Sequence, residues 1–161
     1  MKKTIFGLIV LMSASLFAQT ADTYLELLRS DLKTQKKAVI AEAMELDELQ
    51  SEKFWPIYRE YEFEGAKLTD ARIGIIKEYA ANFETLTDEK ADELIMQSYD
   101  FDEDRLNLSQ KYYKKIKEAL GARKAGKFSQ LINRLNMLID IQVAAELPLI
   151  PENFKPTSEE K

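Results

Sequence analysis

The sequence contains no cysteine and no histidine among its 161 residues. The missing cysteines exclude disulfides, thiol nucleophiles and thiolate metal sites, and the missing histidines exclude imidazole catalysis and imidazole metal ligands. Glycine (five) and proline (four) are scarce, which disfavours a fold of many short strands joined by tight turns. Long helices, stabilised by packing alone, are therefore the favoured elements.

The N-terminus has the pattern of a targeting segment. Lys2 and Lys3 precede an uncharged run over 4–18, which is shorter than the roughly 20 residues that span a bilayer. We expect residues 1–18 to be a cleaved signal peptide, with an uncleaved anchor as the alternative, and the mature protein to be exported. Removing them leaves 21 basic and 28 acidic side chains, a net charge of −7, which is unfavourable for binding nucleic acid through its phosphates.

Apolar periodicity predicts an all-α fold, with a single helical domain over 22–147 and an extended or disordered tail over 148–161. The first of four helices covers 22–44, and its polar middle, 33–37, is expected to fray or break. The second and third, about 48–83 and 88–120, form a long antiparallel hairpin. The fourth covers about 122–145.

A capping signature, Leu46-Asp47-Glu48-Leu49-Gln50, begins the second helix. Asp47 is a good N-cap, and Gln50 lies three residues later, where its side chain can bond the Asp47 backbone N–H. Pro56 lies inside this helix and lacks the N–H of an i→i−4 bond, which predicts a kink near Glu52.

The register of the hairpin can be predicted from its two apolar seams. Folding the chain back near position 85 places Gly65 opposite Arg105 and Ser98 opposite Arg72. In this arrangement each arginine meets a small residue, which would preserve the packing density of the seam.

No arrangement of residues in the sequence indicates catalysis. Asp100, Asp102 and Asp104 match the start of a calcium loop, but Arg105 stands where glycine is needed and Lys111 where a bidentate glutamate is needed. The other carboxylates are typical of a solvated helix surface, and no histidine is present to activate serine or threonine. We predict a protein that is not an enzyme and has no metal and no cofactor.

Two sets of side chains are candidates for binding. The aromatic set belongs either to the core or a dimer interface, or to an exposed surface for partly folded clients. The lysine patch is either a solvated helix surface or a docking surface for an acidic partner. The aromatic set is Trp55, Tyr58, Tyr61, Phe63, Tyr99 and Tyr113. The lysine patch is Lys111, Lys114, Lys115 and Lys117, with Arg123, Lys124 and Lys127 nearby.

An exported, cysteine-free chain of four helices with this capping signature resembles the Spy/CpxP-like periplasmic proteins, whose motif is LTxxQ. Leu46–Gln50 stands at the first motif position with Asp47 in place of threonine. The stretch 120–124 stands at the second motif position, and of the motif residues it retains only the leucine, Leu120. The resemblance covers roughly residues 46–140.

This resemblance implies a cradle-shaped, homodimeric helical protein of the periplasm. Such proteins act as ATP-independent chaperones for unfolded or partly folded proteins, or as accessory modules that dock a membrane sensor of envelope stress. A structural envelope protein with neither activity is a third interpretation of the sequence.

Overall fold

The computed structural model describes residues 34–151, and all regular elements in this range are helical. Helix α1 covers residues 34–44, and α2 covers Glu48–Asn82. A short 3-10 turn, Phe83–Thr85, leads to α3, Asp88–Leu120, and α4 covers Ala122–Glu146. The fold is all-α with four helices, as predicted, while the proposed signal peptide and the tail from residue 152 lie outside the described residues.

The chain divides into two units, one that ends at Ala43 and one that begins at Met44. In the first unit, residues 34–37 are helical, so the predicted fraying does not occur there. The second unit contains α2, α3 and α4. Across residues 34–151, no helix is long and apolar enough to span a membrane. The single domain predicted over 22–147 extends beyond the described range and stays a prediction.

Local signals fix where the long helices begin and end. The Asp47 side chain accepts a 2.8 Å hydrogen bond from the Gln50 backbone, and the Gln50 side chain accepts a 3.4 Å bond from the Asp47 N–H, which confirms the capping box. Thr87 caps α3 through the Lys90 backbone N–H at 3.2 Å. Gly121 separates α3 from α4 with a φ of 84°, a conformation that glycine adopts at little cost.

Helices α2 and α3 form the predicted antiparallel hairpin, but the arginines are accommodated differently. A Cβ placed on Gly65 would lie 3.6 Å from Leu108 Cδ2, so this gap faces a leucine one helical turn from Arg105. Arg72 and Ser98 do line the same cleft. The predicted placement of Arg105 opposite Gly65 is therefore corrected, whereas the pairing of Ser98 with Arg72 stays a prediction. Both arginines also bond a carboxylate of α4, Asp140.

Helix α4 folds back on α3 and lies along the hairpin. Near its start, the Phe128 ring contacts the ring of Tyr61 with a centroid distance of 5.5 Å. Further along, Asp140 bonds one arginine of α2 and one of α3. After its end, the Pro148 carbonyl accepts a 3.0 Å hydrogen bond from the Tyr79 hydroxyl. Residues that follow α4 therefore contact α2 near the turn of the hairpin.

Burial is concentrated at the end of the second unit where α2 begins. In α4 the buried residues are Ala125, Phe128 and Ile132, and no residue from 133 to 146 is buried. At the other end, the hairpin buries Leu86 and Leu94. The buried residues of the second unit are Met44, Phe54, Tyr58, Tyr61, Leu86, Leu94, Tyr112, Ile116, Ala125, Phe128 and Ile132.

Candidate functional site

Six aromatic rings from three helices pack together and form the aromatic cluster. Phe128 of α4 meets Phe54 and Tyr58 of α2 edge to face, with centroid distances of 5.6 and 6.3 Å. Tyr61 meets Tyr112 of α3 at 5.4 Å. These distances and angles are those at which aromatic pairs stabilise a core beyond their buried area. The cluster comprises Phe54, Trp55, Tyr58, Tyr61, Tyr112 and Phe128.

This packing corrects part of the candidate aromatic surface. Tyr58 and Tyr61 are only 2% and 5% exposed, so neither side chain can form a client surface on this fold. They are buried because their spacing places them on the side of α2 that faces both α3 and α4. Trp55 is half-buried against Phe54 and Tyr58, with centroid distances of 5.2 and 5.5 Å.

The other three members of the aromatic set stay accessible to different degrees. Phe63 and Tyr99 are 69% and 63% exposed, and Tyr113 is half-buried. Phe63 lies on α2 and the two tyrosines on α3. Phe63 and Tyr99 therefore remain candidates for binding, while the rest of the set is wholly or partly built into the core.

Two hydroxyl groups in the aromatic cluster have no hydrogen-bond partner among the described residues, those of Tyr58 and Tyr112. Burial raises the pKa of both phenols, and the nearby carboxylates of Glu62 and Glu64 raise it further for Tyr58 and Tyr112 respectively. A buried polar group without a partner costs free energy. These hydroxyls therefore oppose the stabilisation that their rings provide.

The lysine patch is partly neutralised by α2. Lys111 Nζ lies 2.7 Å from a Glu64 oxygen, and Lys115 Nζ lies 2.5 Å from Glu60 Oε2. The Lys111 ammonium lowers the pKa of Glu64 through this bond. Lys114 and Lys117 are exposed and form no ion pair with residues 34–151. Of the predicted docking patch, only these two lysines are unpaired in the described range.

The neighbouring Lys124 and Lys127 of α4 hold the turn before α2. Glu45 has a φ of 48°, a left-handed conformation that is uncommon for residues other than glycine. Lys124 Nζ donates 2.8 Å hydrogen bonds to the carbonyls of Met44 and Glu45, and Lys127 pairs with the Glu45 carboxylate at 3.0 Å. Lys124 thus contacts the chain just before Leu46. Lys124 and Lys127 have a structural role.

A polar group of the second unit, which we call the arginine bridge, joins α2, α3 and α4. It comprises Arg72, Arg105 and Asp140. Asp140 Oδ1 accepts from Arg72 Nη1 at 2.6 Å, and its Oδ2 accepts from Arg105 Nη1 at 2.9 Å. Both guanidinium groups also lie over the Phe101 ring, 5.6 and 5.2 Å from its centroid. One carboxylate on α4 therefore bonds both helices of the hairpin.

Two shallow clefts flank the arginine bridge. One, of about 290 Å³, lies between α3 and α4 and is lined by Asp102, Leu106, Asn133 and Met137 among others. The other, of about 310 Å³, lies between all three helices. Its apolar lining residues are Ile75, Ile76, Phe101, Val143 and Leu147.

Exposed apolar side chains of α3 and α4 form what we call the outer apolar face, defined as Leu106, Met137, Leu138 and Ile141. Each is between 55% and 60% exposed. Met137 and Leu138 each neighbour Ile141 on the helix surface, because they lie four and three positions before it. Leu106 and Met137 line the same cleft. The face therefore brings together exposed apolar side chains of two helices.

The acidic run of α3 does not form a calcium loop. Asp100, Asp102 and Asp104 lie in continuous helix, and Asp102 instead accepts a 2.8 Å bond from Arg105 Nη2. Among residues 34–151, no three acidic side chains are placed to hold a metal ion together.

Sequence reasoning missed the arginine bridge and the outer apolar face. Asp140 interrupts the apolar run Leu138-Ile139-Asp140-Ile141, and a lone acid in such a run is a usable signal for a buried or half-buried ion pair. The outer apolar face carried a weaker signal, since periodicity alone does not show which side of an apolar helix stays uncovered.

Comparison of the chain with protein-family models, curated proteins and solved structures gives no match. The candidate site is therefore argued from its own geometry.

Proposed function

We propose that the mature protein is an ATP-independent periplasmic chaperone that binds unfolded or partly folded proteins, as its resemblance to the Spy/CpxP-like proteins implies. The observation that supports this function best is the outer apolar face. Contiguous exposed apolar side chains on a folded protein are typical of surfaces that bind other proteins. Export rests on the sequence pattern of residues 1–18, and the periplasmic location rests on the resemblance.

Binding on this face is expected to be weak and to tolerate many clients. Met137 and the leucines are flexible side chains that adapt to differently shaped apolar partners. The face is bordered by charged groups, including Asp102 and Arg134, which stay solvated and limit the apolar area that a client can cover. A surface of this kind captures exposed apolar segments and releases them without a nucleotide.

An aggregation assay tests the proposal. A chemically unfolded client is diluted with increasing amounts of the mature protein, and light scattering is followed over time. We expect suppression at near-stoichiometric ratios. The double variant Leu138→Gln and Ile141→Gln should need several-fold more protein, whereas Leu49→Gln, which alters an exposed leucine of α2, should act like the parent. Undiminished aggregation at several-fold excess of the parent would rule out this function.

A homodimer is the competing use of the outer apolar face. Sedimentation of the parent and of the same double variant separates the two. A dimer that dissociates in the variant, together with unchanged aggregation suppression, would assign the face to the second copy and leave Phe63 and Tyr99 as the client surface.

The second candidate function is an accessory module that docks the periplasmic part of a membrane sensor. It is favoured by Lys114, Lys117 and Arg123, exposed cations that have no ion-pair partner in the described range. Lys114→Glu with Lys117→Glu should abolish recovery of an acidic partner from envelope extracts, while Lys53→Glu, an exposed lysine of α2, should not. An unchanged set of recovered proteins would count against docking, and failure of both assays would favour a structural envelope protein.

A further inference from the structure

Helix α4 consists of two halves that are held in different ways. Residues 122–132 contribute Ala125, Phe128 and Ile132, each 3% exposed or less. The remainder, which we extend to Pro148 and call the distal segment (residues 133–148), contributes no buried side chain. Apolar burial therefore fixes the first half on the hairpin, and the distal segment depends on other contacts.

The distal segment contacts α2 partly through polar groups that are accessible to water. Asp140 bonds Arg72 and Arg105, whose side chains are about a quarter to a third exposed. Pro148 accepts one hydrogen bond from the Tyr79 hydroxyl. Such contacts can be exchanged for equivalent bonds to water or to another molecule at a small net cost.

Between the distal segment and the hairpin lies the cleft of about 310 Å³. Ile75, Ile76 and Phe101 line it from the hairpin, and Val143 and Leu147 line it from the distal segment, and all five are half-buried. The cleft is open to solvent, so the apolar side chains on its two sides do not close over it as those of a packed core do. The distal segment therefore covers an apolar groove of the hairpin without filling it.

We propose that the distal segment is displaceable and that the groove beneath it binds an apolar client segment that carries a carboxylate. The chemistry of the partner follows from what the distal segment itself presents there. It offers Val143 and Leu147 to the apolar side chains and one carboxylate, Asp140, to two guanidinium groups. A client segment with the same pattern can replace it. This inference deepens the proposed function and rests on it, because the displacing segment is the unfolded client.

The client segment needs a carboxylate because it must replace Asp140 as the partner of the two arginines. Once Asp140 leaves, Arg105 keeps Asp102 as a partner, but no other carboxylate within residues 34–151 is bonded to Arg72. A guanidinium beside apolar side chains favours a carboxylate over a neutral group, since it donates paired, charge-assisted hydrogen bonds. An apolar segment without an acid should bind the groove more weakly.

Hydrogen exchange on the whole mature chain tests displacement. We expect amides of residues 133–147 to exchange faster than those of 125–132. Asp140→Asn should accelerate exchange in 133–147 by about tenfold and leave 125–132 unchanged. Asp102→Asn is the matched control, because it removes a bond of Arg105 within α3 and leaves α4 bonded. Loss of protection at 125–132 in Asp140→Asn would show one cooperative helix and overturn the proposal, as would unchanged exchange in 133–147.

Binding of a labelled peptide tests the chemistry of the groove. The peptide NRLNMLIDIQVAAELP reproduces residues 133–148, and a second version carries asparagine at the position of Asp140. The acidic peptide should bind the Asp140→Asn chain at least about tenfold more tightly than it binds the parent chain, where the groove is covered. The asparagine peptide should bind the same variant about tenfold more weakly than the acidic one. Equal affinities in either comparison would overturn the proposal.

These measurements contain no aggregating client. A chain that exchanges the peptide but fails to suppress aggregation would refute the proposed function alone. A chain that suppresses aggregation but shows no peptide exchange would refute only the displaceable segment.

Discussion

The two ends of the unit formed by α2, α3 and α4 are held together by different interactions. At the end where α2 begins, Phe128 inserts among rings of α2, and Tyr112 of α3 contacts one of these rings, Tyr61. At the other end, α4 meets the hairpin through the arginine bridge and through the Tyr79 bond to Pro148. The same three helices thus have an apolar core at one end and exchangeable polar contacts at the other.

Because of this difference, one end of the fold should provide most of its stability, and the other end should be able to open locally. Apolar burial contributes free energy in proportion to the area removed from water, so the aromatic end should carry most of the stability. Accessible polar contacts contribute little, which permits local opening without global unfolding. We expect changes at the aromatic end to affect unfolding and changes at the bridge end to affect binding.

The largest expected effect comes from removing the ring of α4 that reaches the aromatic cluster. Phe128→Ala should lower the free energy of unfolding by about 3–5 kcal/mol, because it leaves a cavity against Phe54, Tyr58 and Tyr61. Val143→Ala, at the bridge end of the same helix, should cost about 1 kcal/mol or less. Urea denaturation measures both, and equal losses would remove the distinction between the ends.

Alkaline pH should weaken the aromatic end selectively. Burial raises the pKa of Tyr58, Tyr61 and Tyr112 above the usual value of 10.0. The unfolded chain therefore releases these protons first, so their contribution is constant below about pH 10 and declines above it, by up to ~1.4 kcal/mol per pH unit for each tyrosine.

Urea midpoints between about pH 9 and pH 11 check this dependence. Tyr112→Phe should make the decline shallower, whereas Tyr99→Phe should not, because Tyr99 is exposed. Lysines also lose charge in this range, but they do so equally in both variants. Identical slopes would argue against tyrosine as the cause.

Removing an unpaired hydroxyl should strengthen the aromatic end at neutral pH. Tyr58→Phe keeps the ring and deletes a buried oxygen that has no partner among the described residues, so we expect a gain of about 1–2 kcal/mol. Tyr99→Phe is the contrasting variant, since Tyr99 is 63% exposed and its hydroxyl can bond water, and it should give no gain. Thermal denaturation compares them, and destabilisation by Tyr58→Phe would contradict the assignment.

The smallest expected effect comes from removing an N-cap, and it should be equally large at both ends of the unit. Asp47→Ala and Thr87→Ala each remove an N-cap bond, from the start of α2 and of α3 respectively, and each should cost about 1 kcal/mol. Asp47→Thr, which introduces the residue of the family motif, should retain most of the stability. Unfolding in urea tests all three. If one alanine variant lost much more stability than the other, its cap would contribute to the difference in packing between the two ends.

Local features of the fold were predictable because they depend on neighbouring residues. Asp47, Gln50 and Thr87 define helix starts through bonds over three positions, and Gly121 marks a boundary through its own backbone. The bounds predicted for α2, α3 and α4 from these signals are close to those in the structure. α2 also continues through Pro56 without a break in its helical assignment, so the proline does not end it.

The candidate site was less predictable because it depends on where α4 lies. Apolar spacing placed Tyr58 and Tyr61 on a seam, but only the contact with Phe128 shows that the seam is closed on a second side. The lysine patch looked continuous in sequence, yet Lys111 and Lys115 reach glutamates of another helix. The bridge joins Arg72 to a residue 68 positions away, a separation beyond the range of any local pattern.

The order of the helices also bears on how fast the unit forms. Each long helix is followed by the helix that packs on it, α2 by α3 and α3 by α4, and the connections are short. Contacts between chain neighbours require little loop-closure entropy, and helical folds of this kind reach the native state in microseconds to milliseconds. A refolding experiment should therefore show a main fast phase, and only the unfolded chains with a cis bond before a proline such as Pro56 should refold slowly.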